Sequence, residues 1–362
     1  MKNKTVAFLI PTLGQGGAEK QVRLLAKTLA NKGIDVIIIT MIDNGDIINH
    51  PAIKIYNLGL KGRKIQISSF YKLFSLIKSL KVDVLVTFTY PANIAGRLLK
   101  LILWNIKLIT SIRSSNLGSN LRQLSIKYTK WLDYRTVPNS YNVANKFLNE
   151  HVILESKCLV INNGLELGIN HSNSDKYIEN IKSKIGNYDF LWIAVGRFEV
   201  AKDYKNLVNA CNIINANSNI NWKLIIVGDG SLRNQIFDMI NHYSLNEKIH
   251  LLGSSNNILN IMENSSAFVS SSRWEGSSNA VLEAMISKLP IVATNVGDNS
   301  IVLNAQSEYV VSPNSPTELA FSMNEMMNLS EDKRMRIGQL NYQYVIEKYR
   351  IDEVVLEWEK IL

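Results

Sequence analysis

The 362-residue sequence contains two cysteines, five histidines and no Asp-x-Asp pair. Cys158 and Cys211 lie far apart, which excludes a disulfide framework and a cysteine-based zinc site; both are expected to be buried thiols. His50, His151, His171, His242 and His250 show neither HxH nor HxxxH spacing. With no paired aspartates either, a bound divalent cation has little to hold it, and none is expected. No apolar run reaches the roughly 18–20 residues a membrane span needs, and no leader-like segment opens the chain. The expectation is a cytoplasmic protein.

What is present is a long chain with ample core-forming material. A hydrophobic fraction of 46% excludes wholesale disorder, and the length suits two domains. β-branched runs alternate with amphipathic segments: 5–10, 35–40, 54–58, 82–87, 107–111 and 135–138 read as strands. The stretches 18–32, 70–80 and 92–103 between them carry apolar residues at helical spacing. A second series of strands follows at 190–195, 223–227, 250–252, 267–270, 291–294 and 309–311. Buried strands alternating with helices predict α/β architecture: two tandem Rossmann-like, doubly wound domains. The predicted domains are residues 1–167 and 168–340, joined through the polar stretch 168–188. A helical tail, 341–362, breaks near Tyr349-Arg350 and is expected to pack back across the junction through Val355, Trp358 and Leu362.

Charge is unevenly divided. The first 166 residues hold 23 lysines and arginines against 9 acids, and the remainder holds 17 against 22. A basic first half is suited to an anionic surface, either nucleic acid or lipid headgroups, or is a merely soluble face. No basic-aromatic nucleic-acid motif is present, and no nucleic-acid partner is expected.

Several segments carry chemistry. Gly14-Gln15-Gly16-Gly17-Ala18-Glu19 joins the first strand to the first helix. It is neither a dinucleotide fingerprint nor a Walker motif, so a glycine-rich turn at a helix start remains. Arg197 and Lys202, just past the first strand of the second domain, suit a diphosphate. Read alone, they are two exposed surface cations. Gly228 in Val227-Gly228-Asp229-Gly230, and Gly253 in Gly253-Ser254, leave room for a ligand at strand ends. Ser271–Met285 places Glu275 in a Gly/Ser/Asn loop and Glu283 inside a helix-forming run, beside the N–H groups of a helix start.

In this order, the pieces resemble family 4 of the retaining glycosyltransferases, which have the two-domain GT-B fold. The resemblance covers essentially the whole chain and includes Val160-Ile161-Asn162-Asn163-Gly164 ahead of the linker. It implies that the first domain binds an acceptor and the second a nucleotide-sugar, UDP- or GDP-linked, with no cofactor and no metal. Arg197 and Lys202 would hold the diphosphate, Glu283 the ribose hydroxyls, and Glu275 would lie beside the transferred sugar. Gly276, Ser277, Ser278 and Asn279 would contact sugar or phosphate, with Gly16 and Gly17 closing from the other domain. Glu19 and Arg113 are candidates for acceptor contact. Transfer would retain configuration, with the departing diphosphate serving as base, because no carboxylate nucleophile is clearly supplied.

Two departures limit what the resemblance carries. Many members have Gly-Phe-Gly after the first glutamate, where this chain has Gly276-Ser277-Ser278-Asn279, so sugar preference is not inherited. Some carry a histidine after the fifth strand, where this chain has Ser111-Ile112-Arg113-Ser114.

Three first-half segments, 61–81, 97–107 and 122–135, mix cations with large apolar residues. They predict peripheral attachment to the inner, anionic face of the plasma membrane and a lipid-linked saccharide acceptor, as in bacterial surface-polysaccharide synthesis. Two alternatives remain open at this point: a nucleotide-sugar epimerase of the same fold, and a non-catalytic nucleotide-binding partner subunit.

Overall fold

A computed structural model describes residues 4–14, 16–42, 50–60, 67–166 and 174–362. Gln15 of the glycine turn, the start of the 61–81 segment and residues 168–173 of the expected linker lie outside the described residues. The chain divides into two units, Met1–Glu166 with Tyr349–Leu362, and Leu167–Lys348.

In the first unit, strands β1 (Thr5–Ile10), β2 (Asp35–Thr40), β3 (Ile53–Asn57), β4 (Val84–Phe88), β5 (Lys107–Ile112) and β6 (Arg135–Pro138) form one parallel sheet. Helices α1 (Gly17–Asn31), α2 (Ile67–Ser79), α3 (Tyr90–Ile102), α4 (Asn120–Thr129) and α5 (Tyr141–Asn149) connect them. Strand order is β3-β2-β1-β4-β5-β6. The order reverses between β1 and β4, so the loops after these two strands diverge and leave a crevice at their carboxyl ends. The β1 and β4 side chains are buried on both faces, which is why their sequences run apolar without alternation.

In the second unit, α6 (Ser174–Ile185), β7 (Phe190–Val195), α7 (Tyr204–Asn217), β8 (Trp222–Val227), α8 (Arg233–His242), β9 (Ile249–Gly253), α9 (Ile258–Glu263) and β10 (Ala267–Ser270) follow in turn. They are succeeded by α10 (Asn279–Ile286), β11 (Ile291–Thr294), α11 (Asn299–Val302), β12 (Val310–Val311), α12 (Pro316–Asn328) and α13 (Glu331–Lys348). The sheet runs β12-β11-β10-β7-β8-β9, again parallel, with its switch point between β7 and β10. Trp192, Trp222 and Phe190 fill its core.

The last helix, α14 (Ile351–Glu359), belongs to the first unit, and the change of unit falls between Lys348 and Tyr349. Ile351, Val354, Val355 and Trp358 share a core with Phe8 and Phe88, and the Trp358 ring stacks on Phe88 at 6.1 Å. The backbone of Leu165 donates to Tyr349 O at 2.8 Å and Ile351 donates to Leu165 O at 2.9 Å, fixing the helix start.

Two expectations need correction. Arg97, counted among the surface cations of the 97–107 segment, is buried. Its Nε and Nη2 meet the two oxygens of buried Asp133 at 2.9 and 2.5 Å, and its Nη1 donates to Ile126 O and Thr129 Oγ1. Cys211 is buried, but Cys158 is only half-buried.

Candidate active site

The second unit places its candidate residues on the two loops that diverge at its switch point. One loop leaves β7 at Gly196 and ends in a 3-10 turn, Val200–Lys202; the other leaves β10 at Ser271 and reaches α10. Asp203 ties the loops together. It adopts a left-handed conformation (φ 45°), accepts from Asn206 N to cap α7, and accepts from Arg273 Nε at 2.7 Å. Arg273 N donates to Ala201 O at 2.8 Å and Ser271 Oγ to Lys202 O at 2.9 Å, so the two loops are laced along their length.

This lacing brings Lys202 and Glu275 into an ion pair, Nζ to Oε1. Ser272 Oγ donates to the same carboxylate oxygen at 2.9 Å. The pair is mostly sheltered, with side chains 23% and 15% exposed, so its attraction is screened less than that of a surface pair. An ammonium has three protons, and Glu275 engages Lys202 through one of its own oxygens. The aliphatic stem of Lys202 lies against Gly196, where a larger residue would displace it. Beneath the pair, buried Tyr204 donates to Gly196 O at 3.0 Å; burial first, and the Glu275 charge second, push its phenol pKa well up.

Glycine is required at Gly228, whose Cβ would fall 2.0 Å from Gly196 O. Gly228 N donates to Gly253 O at 2.9 Å, so these two glycines hold β8 and β9 close beside the β7 loop. A second requirement lies at Gly297, with φ 56° and a would-be Cβ 2.1 Å from Gly276 O. Gly297→Ala is expected to push the Glu275-Gly276 loop outward, raising the donor KM about tenfold and lowering stability by about 1–3 kcal/mol. Donor titration and thermal denaturation check this; an unchanged KM contradicts it.

The start of α10 carries the remaining candidates. Ser278 is its N-cap but makes no capping bond, and its hydroxyl is buried without a partner. Ser278, Ser277, Asp298 and Asn299 share the lining of one narrow crevice. A helix N-terminus with such a hydroxyl is suited to phosphate or hydroxyl oxygens. Asn279 opens the helix and Glu283 is buried in its second turn.

Arg197 stands apart. Its side chain is 68% exposed and pairs with Glu199 at 3.2 Å, not with the Lys202–Glu275 cluster. The structure therefore brings together Lys202, Glu275, Gly196, Gly228 and Gly253, and leaves Arg197 at the surface of the same loop.

In the first unit, Gly16 caps α1 with extended backbone, and the Glu19 carboxylate lies back against it. Glu19 Oε1 also accepts from Thr12 Oγ1 at 3.1 Å. Glu19 thus places a carboxylate at the positive end of α1. Arg113, just past β5, is different. Nη1 donates to buried Asn163 Oδ1 at 2.8 Å, and the guanidinium stacks 4.6 Å over Phe88. Its Nε is buried without a partner, and burial pushes its pKa down to about 9. Among the described residues its contacts are a neutral amide and a ring, with no carboxylate, which leaves the charge available to an anion. Thr89, after β4 at the switch point, holds a positive φ of 71° that a non-glycine residue rarely adopts. Nothing in its residue type announces this, and the sequence gives no signal for it. Ser272 and Thr294, whose hydroxyl donates to Ser272 O at 2.7 Å, were likewise missed.

Comparison with known proteins decides the family. Residues 15–168 match the model described as Glycosyltransferase Family 4, and residues 176–344 the model described as Glycosyl transferases group 1. The chain belongs to the GT-B glycosyltransferases. It is 29% identical over 241 residues to an uncharacterized glycosyltransferase of Methanocaldococcus jannaschii, spanning 62% of this chain and 58% of that protein's length. It is 26% identical to the UDP-Gal:alpha-D-GlcNAc-diphosphoundecaprenol alpha-1,3-galactosyltransferase of Escherichia coli, over 75% of this chain and 73% of that one. Anabaena HepE, solved in complex with UDP-glucose, shares the fold with a TM-score of 0.82 at 17% identity, covering 99% of this chain and 100% of the other. Among the described residues, no three His, Cys, Asp or Glu side chains group as metal ligands, and no helix is long and apolar enough to cross a membrane.

Proposed function

We propose that the protein is a retaining glycosyltransferase that moves a sugar from a nucleoside-diphosphate sugar to a hydroxyl of a lipid-linked saccharide, without a metal, in bacterial surface-polysaccharide synthesis. The observation that carries this reading is the Lys202–Glu275–Ser272 cluster over the switch point of the second unit, beside the uncapped start of α10. A UDP-sugar donor and a diphosphoundecaprenol-linked acceptor are supported by the name of the Escherichia coli relative.

In this reading the donor diphosphate takes protons of Lys202 that Glu275 leaves free, and Arg197 swings from Glu199 onto a second oxygen. The N-terminus of α10 and the Ser278 hydroxyl complete the cradle, and Glu283 holds the ribose. These groups stabilise the charge that develops as the bond from the anomeric carbon to the phosphate oxygen breaks. The pair of electrons leaves with the diphosphate, and the sugar acquires oxocarbenium character beside Glu275. The acceptor hydroxyl attacks from the face the diphosphate leaves, giving its proton to a diphosphate oxygen. Configuration is retained without a covalent enzyme intermediate, and Ser277 and Asn279 contribute to the choice of sugar.

Arg113 takes the anionic part of the acceptor, and the protein works at the inner face of the plasma membrane through its basic first unit. Arg113→Gln is expected to raise the acceptor KM roughly 10–100-fold, in line with charge-assisted hydrogen bonds of about 1.5–3 kcal/mol, while the donor KM stays unchanged. A rise in the donor KM alone contradicts the assignment.

The reading is tested by supplying UDP- and GDP-sugars with an undecaprenyl-diphosphate-linked saccharide and following nucleoside diphosphate release. Release from one donor that depends on acceptor and persists in EDTA is the expected result. Loss of the reaction in EDTA contradicts metal independence, and release from no donor contradicts the function.

A further inference from the structure

We infer that Asn163 is a positioning residue for the acceptor: its amide holds the Arg113 guanidinium in place without neutralising it, so that the charge is kept for an oxyanion on the incoming substrate. The inference rests on the reading that Arg113 meets the anionic part of the acceptor, and it names the residue that leaves Arg113 able to do so.

Arg97 and Arg113, both sheltered in the first unit, have partners of different chemistry. Arg97 meets both oxygens of Asp133, and the two charges cancel inside the fold. Arg113 donates from Nη1 to the Asn163 amide oxygen at 2.8 Å and lies over the Phe88 ring at 4.6 Å. A cation taken out of water is unfavourable unless an opposite charge accompanies it. Asparagine and aspartate have nearly the same shape, so a carboxylate at position 163 would supply that charge at once. The chain has the amide there. An amide oxygen fixes the direction of the guanidinium by a hydrogen bond but leaves its charge to be met by a ligand.

Asn163 can act in this way because its own place is fixed. Ile112 of β5 lies beside Pro138 of β6, and Ile161 N donates to Pro138 O at 3.1 Å, so the segment 161–165 continues the row at that edge. Two residues beyond Ile112 and Ile161 the row reaches Arg113 and Asn163, which meet although 50 positions separate them. The backbone directly after Asn163 is clamped. The buried Gln21 amide of α1 donates to Gly164 O at 2.9 Å and accepts from Gly164 N at 2.8 Å, as a neighbouring strand would. Ile351 of α14 closes on the same residue, where a Cβ would fall 2.5 Å from Ile351 Cδ1. Asn163 is itself buried. A side chain held this firmly offers its oxygen in one direction, and Arg113 is oriented by it.

The ligand chemistry is an oxyanion, phosphate or carboxylate. It has two possible sources: the diphosphate that joins an acceptor saccharide to its lipid, or an acidic sugar within that saccharide.

Asn163→Asp is the decisive variant, because it keeps the shape and installs the missing charge. It is assayed in the full-length protein with an undecaprenyl-diphosphate-linked saccharide that supports turnover. It is expected to raise the acceptor KM as far as Arg113→Gln does, roughly 10–100-fold, with the donor KM unchanged and Tm held or raised. Asn163→Leu removes the hydrogen bond and adds no charge; it is expected to lower Tm yet raise the acceptor KM only about threefold. The more stable variant is thus the poorer enzyme, whereas a residue needed only for packing ranks the two the other way. Repeating the comparison with the same saccharide as a neutral glycoside locates the anion. A KM rise confined to the diphosphate-linked acceptor places it on the diphosphate, and a rise with both places it on the sugar; either result supports the inference. A wild-type acceptor KM for Asn163→Asp, when Arg113→Gln raises it, overturns the inference and leaves the reading of Arg113. An unchanged acceptor KM for Arg113→Gln overturns both. Where Asn163→Asp does not fold, Asn163→Leu decides: a raised acceptor KM at fixed donor KM supports the inference, and an unchanged one overturns it.

Discussion

Glu275→Gln is expected to lower kcat about 10²–10³-fold, the usual cost of removing one preorganised electrostatic group from a transition state. The substitution keeps the side-chain shape and the Ser272 contact but removes the charge that pairs with Lys202. Lys202 then serves the diphosphate alone, so nucleoside diphosphate affinity is expected to hold or rise while turnover collapses. Lys202→Met has the complementary signature, with both donor affinity and kcat falling. Because the two residues touch, the double variant is expected to lose far less than the sum of the single losses. Single-turnover rates and nucleotide titration separate these effects. A Glu275→Gln enzyme that retains wild-type kcat removes Glu275 from the reaction.

The largest expected effect on stability lies far from the donor loops, in the first unit. Among the described residues, Arg97→Met leaves the buried Asp133 carboxylate with the Thr110 and Thr136 hydroxyls, at 2.7 and 2.9 Å. Breaking a buried pair from one side costs about 3–5 kcal/mol, because the remaining charge is stranded in the interior. For a unit of this size, Tm should fall by roughly 2–4 °C per kcal/mol. Replacing both partners, Arg97→Met with Asp133→Leu, is expected to recover much of the loss, since no charge is left behind. Denaturant unfolding of the three variants checks this. A single variant within about 1 kcal/mol of wild type contradicts the account of the pair.

The same pair shows where the sequence could be read and where it could not. The strand series of both units was legible because buried parallel strands are continuous apolar runs, and β6 was read at its observed limits, Arg135–Pro138. Glu275 and Glu283 could be singled out as candidates because loop, helix start and both acids fall within one short segment. Arg97 was misread as a surface cation because its partner is 36 positions away and only the folded chain brings them together. Arg197 was grouped with Lys202 for the opposite reason. The two are near in sequence, yet Lys202 closes a 3-10 turn toward Glu275 while Arg197 pairs with Glu199. The hydroxyls of Ser272 and Thr294 act through contacts between separate segments, and neither residue type marks them.

The central claim is retaining transfer of a sugar at the Lys202–Glu275 site, and the configuration of the product tests it most directly. Once the donor is known, NMR of the new linkage reads the anomeric centre against that of the donor. An α-linked product from an α-linked nucleotide-sugar is the predicted result, and a β-linked product would contradict it.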